Sequence, residues 1–308
     1  MKHILKIIYG SVVISALMLS CNRDSNRVPK DFEETPTSGE TFILVDNTIQ
    51  PIVEDVLAVF HSVYDRAHIN QVNYNELEII NALLKDSVRV AVLPRLLTKE
   101  EEAHFINKGI TPKATFFGTD AVAFITNKAS KDTVVELEEV LKVLQGQPSK
   151  VGKLVFDNPN SSTVQLLLKR AGVAKVPTEN VYALKTNEEV IEYVRNTPGC
   201  IGVIGANWLF QPPLELIDDV ENVAVLAVDN VKIDKGAKKY YKPTQSTIAT
   251  GSYPLTRKLY VLNYMGKEAL GTGFANYIGA HEGQRIVLKS GLLPAEIPSR
   301  EIEVRKKL

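Results

Sequence analysis

The sequence predicts an α/β fold, a mainly parallel sheet with helices on both faces, and three observations carry that expectation. Short β-like runs alternate with segments of helical periodicity along most of the chain. The composition, 44% hydrophobic and 23% charged, is that of a folded chain rather than a disordered or multispan membrane one. At 308 residues a single core stops growing, so two domains are expected.

Taken in order, Thr41 to Val45 forms the first strand, and Ile49, Ile52, Val53, Val56, Leu57, Phe60 and Val63 recur at helical spacing as one apolar face. Val72 marks a short second strand, Leu77, Ile80, Leu83 and Leu84 a second helix, and Val88 to Leu93 a third strand. The middle repeats the alternation: Val134 to Leu144 helical, Lys153 to Phe156 strand, Ser162 to Ala171 helical, Val190 to Arg195 helical, then strands Ile201 to Ile204 and Val223 to Val228. Asp229 to Tyr253, rich in lysine and tyrosine, reads as loop and edge strand, followed by a strand from Lys258 to Asn263 and a terminal helix from about Gly271. No internal repeat is visible.

The start of the chain carries a different signal. Lys2, His3 and Lys6 precede a 13-residue, mostly apolar run from Ile7 to Leu19, too short to span a bilayer and of the length of a signal peptide. It ends Leu17-Met18-Leu19-Ser20-Cys21, which resembles a bacterial lipobox with Cys21 as the lipidated first residue; the alternative is an ordinary signal peptide and a chance cysteine. Removing residues 1–20 leaves 34 basic against 36 acidic residues. Residues 21–40 are polar and contain Pro29 and Pro36, the pattern of a flexible tether. Cys200, inside an apolar run, reads as a small core residue without chemistry.

Several function classes find no support. Basic and acidic residues balance at 36 each, which argues against a polyanion partner such as nucleic acid. The five histidines form no ligand pair, no GxSxG or P-loop is present, and Gly271-Thr272-Gly273 lacks the third glycine of a dinucleotide fingerprint, reading instead as a loop into the last helix. No cofactor, metal or catalytic residue is assigned, and an enzyme is not expected.

What the sequence does offer is hydroxyls and amides where strands run into helices. Asp46-Asn47-Thr48 ends the first strand, with Pro51 in the first turn of the helix that follows, and Asn160-Ser161-Ser162-Thr163 opens a later one. Free N–H groups and the helix dipole make such junctions oxyanion sites, although plain N-capping favours the same residues. Arg95, after the third strand, would supply a positive charge, unless it is an ordinary surface arginine.

These junctions resemble those of the PstS-like substrate-binding proteins of phosphate ABC transporters. The family's Gly-Ser-Thr-x-x-Pro motif corresponds to Asp46-Asn47-Thr48-Ile49-Gln50-Pro51, and its Ser-Arg-x-Leu-x-x-Glu-Glu segment to Pro94-Arg95-Leu96-Leu97-Thr98-Lys99-Glu100-Glu101. Asp120 to Asn127 is similar to the following strand, Pro198-Gly199-Cys200-Ile201-Gly202 to a turn, Tyr253 to Tyr260 to the return segment, and Glu282 to Val287 with Gly291 to Pro294 to the end. The likeness implies a two-lobed periplasmic-binding-protein-like fold of type II with a hinge, lobe one from 41–126 plus 255–308 and lobe two from 127–254. It further implies a small oxyanion such as phosphate held by Asn47, Thr48, Arg95, Ser161, Ser162 and Thr163 and passed to a membrane permease, at the bacterial cell envelope, on the periplasmic face or the outer-membrane surface. One departure bears on the ligand: where the family's phosphate clamp has arginine, this chain has Asp157. A carboxylate about 4 Å from a dianion opposes binding by several kcal/mol at an effective dielectric near 20. The rival expectation is an envelope interaction protein that kept the fold without tight phosphate binding.

Mass spectrometry of the protein from its native membrane is expected to show acylated Cys21 as the first residue, and Cys21→Ala to release the protein from membranes. An unmodified protein starting elsewhere would refute the lipobox.

Overall fold

The computed structural model describes residues 34–233 and 238–299. The signal peptide, Cys21 and most of the expected tether lie outside the described residues.

Strand β1 (Gly39–Asp46) runs into a 3-10 turn (Asn47–Ile49) and helix α1 (Gln50–Val63). Then come β2 (Ala67–Tyr74), α2 (Glu76–Leu84), β3 (Val90–Leu93), α3 (Lys99–Ile106) and the long strand β4 (Lys113–Asn127). The second half contains β5 (Val134–Val135), α4 (Leu137–Leu144), β6 (Leu154–Phe156), α5 (Ser162–Ala171), β7 (Val181–Ala183), α6 (Asn187–Asn196), β8 (Ile201–Gly205), α7 (Asn207–Phe210) and α8 (Ile217–Glu221). It closes with β9 (Val223–Val225), β10 (Ala227–Asp229), β11 (Tyr240–Tyr241) and α9 (Gln245–Ala249), before β12 (Thr256–Asn263), α10 (Leu270–Gly279), α11 (His281–Lys289) and β13 (Leu293–Pro294).

One sheet runs β2-β1-β3-β12-β4-β8-β6-β7, with β9 and β13 paired to β4. Its two wings are parallel, β2-β1-β3 and β8-β6-β7, whereas β12 and β4 at the centre are antiparallel to their neighbours. The mixed centre has a simple cause. β4 carries the chain from one wing to the other and β12 brings it back, so they run in opposite directions. β4 pairs with β12 up to Ala121 and with β8 from Val122, a few residues ahead of Thr126–Asn127, where the crossing is expected from the sequence.

In the inner strands of the wings apolar residues occupy both faces, as helices on both sides require. Ile43 and Val45 pack with Ile52, Val56 and Phe60 of α1, while Leu44 between them packs with Ile79, Ile80 and Leu83 of α2. In the other wing Leu154 and Phe156 face α4 and α5, and Val155 faces Val190, Ile191 and Val194 of α6. Cys200 joins this last cluster at 1% exposure, a core residue as the sequence suggested.

Five expectations need adjustment. Val134 to Leu144 splits into a two-residue strand and a helix, Val223 to Val228 into two strands, and the terminal helix into α10 and α11. Residues 34–40, expected within the tether, are docked. Glu34 accepts from the Leu270 N–H at 3.3 Å and pairs with Lys267, Ser38 is buried, and Gly39 begins β1. Gly271-Thr272-Gly273 is the first turn of α10 rather than a loop, and a Cβ on Gly273 would collide with the Pro36 carbonyl. That glycine is what lets the N-terminal segment lie against the helix.

Gly273→Ala is therefore expected to displace residues 34–38 and cost about 1–3 kcal/mol, read as a lower urea midpoint with an unchanged slope. An unchanged midpoint would show that the segment contributes nothing to the fold.

Candidate functional site

The carboxyl ends of β1 and β6 meet at one buried polar cluster, the place where open α/β sheets put ligands. Asp46, the last residue of β1, caps the 3-10 turn by accepting from the Thr48 N–H at 2.9 Å. Its Oδ1 also accepts from the hydroxyls of Thr48 and Ser162, the latter at 2.9 Å. The Thr48 and Ser162 hydroxyl oxygens are 2.8 Å apart, although 114 residues separate them in sequence.

Arg257 lies beneath these hydroxyls with a side chain 4% exposed. It is the second residue of β12, in phase with the inward-facing Leu259 and Val261 and flanked by Lys258, which faces solvent. Nη1 donates to Thr48 Oγ1 and Ser162 Oγ, both at 2.7 Å. Nε and Nη2 donate to Asp120 Oδ2 at 3.0 and 2.7 Å, and Nη2 also reaches the Thr48 carbonyl at 3.4 Å. All five N–H groups of the guanidinium are thus committed.

Further donors hold the turn after β1 against the other wing. Asn207 Nδ2 donates to the Thr48 carbonyl at 2.6 Å, and Trp208 Nε1 and Asn187 Nδ2 donate to the Asn47 carbonyl at 3.3 and 3.4 Å. Gly205, at the end of β8, makes this approach feasible. A Cβ there would collide with the Thr48 carbonyl and lie 2.7 Å from Arg257 Nη2.

The residues expected from the sequence are placed as follows. Thr48 and Ser162 come together directly, and Asn47 joins through its carbonyl. Ser161 is the N-cap residue of α5, yet its hydroxyl makes no capping bond and instead pairs with Thr163 at 3.0 Å. Arg95 does not reach the cluster: its guanidinium is bound by Glu76 at 2.6 Å and Glu101 at 2.8 Å, and it lines a cleft of about 530 Å³ that runs past Ser162 and Arg257. The guanidinium in contact with Thr48 and Ser162 is that of Arg257. Asp46, Asp120, Asn207, Trp208 and Arg257 were not foreseen as participants.

Asp157 follows β6 and is fully buried, with neither carboxylate oxygen hydrogen-bonded among the described residues. Burial pushes it up to about 6, the nearby Ser161 hydroxyl partly offsets this, and the charge of Asp46 adds to it. Burial likewise raises Asp46 and Asp120, against the pull of Arg257. No group of three or more His, Cys, Asp or Glu side chains suited to a metal ion occurs among the described residues.

Two sheet wings whose strand ends converge on one polar cleft define a two-lobed α/β binding-protein fold. The chain belongs to the PBP superfamily, whose domain model matches residues 31–282. It is 27% identical over 301 residues to the phosphate-binding protein PstS of Borreliella burgdorferi, covering 92% of this chain and 98% of that one. Among solved structures, a Clostridium perfringens protein of the phosphate ABC transporter substrate-binding type, solved with bound phosphate, superposes with a TM-score of 0.67 at 17% identity, over 84% of this chain and 100% of the other. An ABC-type phosphate transport receptor from Vibrio cholerae gives 0.59 at 16% identity, over 82% of this chain and 100% of that one.

Because the folded state holds the Asp157 proton more tightly than the unfolded chain, stability falls as pH rises from about 4 to about 6 and stays lower above it. Asp157→Asn is expected to stabilise the protein at pH 7 to 8 by on the order of 3 kcal/mol, since each pH unit between the folded and unfolded pKa is worth about 1.36 kcal/mol, and the gain should vanish near pH 4. Denaturant melts across that range check it; a pH-independent gain would point to packing rather than ionisation. Arg257→Ala strands Asp120 and is expected to cost about 3–5 kcal/mol by the same measurement.

Proposed function

We propose that this chain is a lipid-anchored envelope protein that captures a small oxyanion, phosphate or a close relative, between its lobes and hands it to an ABC permease. The observation that carries the reading is the convergence of Thr48 Oγ1, Ser162 Oγ and Arg257 Nη1 at the start of α5, two hydroxyls and a buried cation within 2.8 Å of one another. Charge-assisted donors at a helix N-terminus suit an oxyanion. Relatives named for phosphate binding support the choice of ligand. The lobes are taken as 41–126 with 255–308 and 127–254; the change of partners along β4 supports a crossing within that strand. Capture proceeds by hinge closure. No helix among the described residues is long and apolar enough to cross a membrane, and attachment in this reading rests on Cys21.

Two buried carboxyls, Asp46 and Asp120, act on the Arg257 guanidinium and a third, Asp157, acts on Asp46, and this composition favours a protonated oxyanion over a dianion. Calorimetry is expected to show weak phosphate binding at neutral pH, in about the millimolar range, equivalent to roughly −4 kcal/mol. Binding should tighten as pH falls through about 6, where Asp157 takes up its proton. Asp157→Arg is expected to improve binding at neutral pH, and sulfate to bind less well than phosphate because it brings no proton for the carboxylates.

The second reading, an envelope interaction protein without tight phosphate binding, is favoured by the buried, unbonded carboxylate of Asp157. Heat exchange with neither phosphate nor sulfate, for wild type and Asp157→Arg alike, would select it.

A further inference from the structure

We propose that Asp46 is a built-in stand-in for the ligand's oxyanion, latching the two lobes closed in the absence of ligand and setting how strongly an incoming anion must compete.

The argument is a count of protons. The Thr48 and Ser162 hydroxyls each have one to give. Each accepts from Arg257 Nη1 at 2.7 Å, and of the two acceptors then within reach of its own proton, the other hydroxyl at 2.8 Å and Asp46 Oδ1, the charged carboxylate is the stronger. The Thr48 N–H points to the same oxygen. A single carboxylate oxygen therefore collects a backbone amide and two hydroxyls, one from each wing of the sheet. The five guanidinium protons are already assigned, two to hydroxyls, two to Asp120 and one to the Thr48 carbonyl. An arriving phosphate finds these groups occupied and must displace the Asp46 carboxylate to be bound.

The same bonds tie the wings together. Ser162 opens α5 on one side, Asp46 ends β1 on the other, and the contact between them is desolvated. Asn207 and Trp208 reinforce the seam by donating to the carbonyls of the turn that Asp46 caps. Removing the carboxylate frees three donors at once and leaves the hydroxyls facing the guanidinium with protons to offer. The identity of the displacing anion rests on the oxyanion reading above; the latch does not.

Trp208 is the single tryptophan of the chain, fully buried at this seam, so its emission reports closure in the full-length protein. Asp46 has φ −61° and ψ 127°, a conformation open to alanine, so Asp46→Ala removes the carboxylate without backbone strain. Wild type is expected to show the same blue-shifted Trp208 emission with and without inorganic phosphate. Asp46→Ala is expected to emit further to the red without phosphate, to return to the blue on titration, and to bind phosphate at least tenfold more tightly than wild type by calorimetry. If Asp46→Ala does not fold, Asp46→Asn, of the same shape but uncharged, should show the same shifts at smaller amplitude. Wild-type emission that moves to the blue on adding phosphate, or variant emission and affinity equal to wild type, would overturn the latch. A red shift in Asp46→Ala with no response to phosphate or sulfate would uphold the latch and reject phosphate as the ligand.

Discussion

One guanidinium under the seam organises this molecule. Taking an arginine out of water is tolerated only when its charge and its fan of donors are met, and Arg257 is met on both sides. Asp120 neutralises it from the adjacent strand, and Thr48 and Ser162 take the protons that point into the cleft. The turn after β1 and the start of α5 are positioned by the same ion, so the two wings share a common electrostatic reference. The glycine at 205 and the amides of Asn187 and Asn207 bring the remaining backbone within reach of it.

Around that cation stand more carboxyls than it can neutralise. Asp46, Asp120 and Asp157 are all buried, and burial raises all three above the usual carboxylate range. A desolvated site relieves surplus negative charge by retaining protons, and Asp157, without a hydrogen-bonded partner among the described residues, is where that pressure is least compensated. Relatives of this chain include proteins named for phosphate binding, yet in the reading proposed above the local field would resist a fully ionised phosphate. The fold and the field pull in different directions, and the field is the property of this particular sequence.

The alternation of strand and helix and most core faces were legible from periodicity, because helices packed on both sides of a sheet impose it on the inner wing strands. Ile43 and Leu44, buried on opposite faces, show why the strands read as continuous apolar runs. Thr48 and Ser162 could be picked out together, since hydroxyls after strands are a local signal. Arg95, a charge just after a strand, reads from the sequence as available, whereas Glu76 and Glu101, which pair with it, come from elements that meet it only in the fold. A cue for Arg257 was present in its phase with Leu259 and Val261, an arginine on the inward face of a strand. Asp46 gave no comparable cue: as the cap of its own turn it satisfies a local rule, and its bond to Ser162 exists only after folding.

β4 is continuous over 15 residues, roughly 50 Å of extended chain at about 3.4 Å per residue, and belongs to both wings. A strand bends and twists far more readily than it stretches, so the hinge closure proposed above would be a flexing of this common spine near Ala121, where its pairing partner changes, rather than a sliding of separate bodies. Asp120 is registered opposite Arg257 beside that point, which puts the ion pair at the fulcrum. Thr48 and Ser162 ride on the lever arms. On that proposal, rotation of the wings would sweep the hydroxyls past a nearly stationary charge, so that the mechanical axis and the electrostatic centre of the protein would coincide.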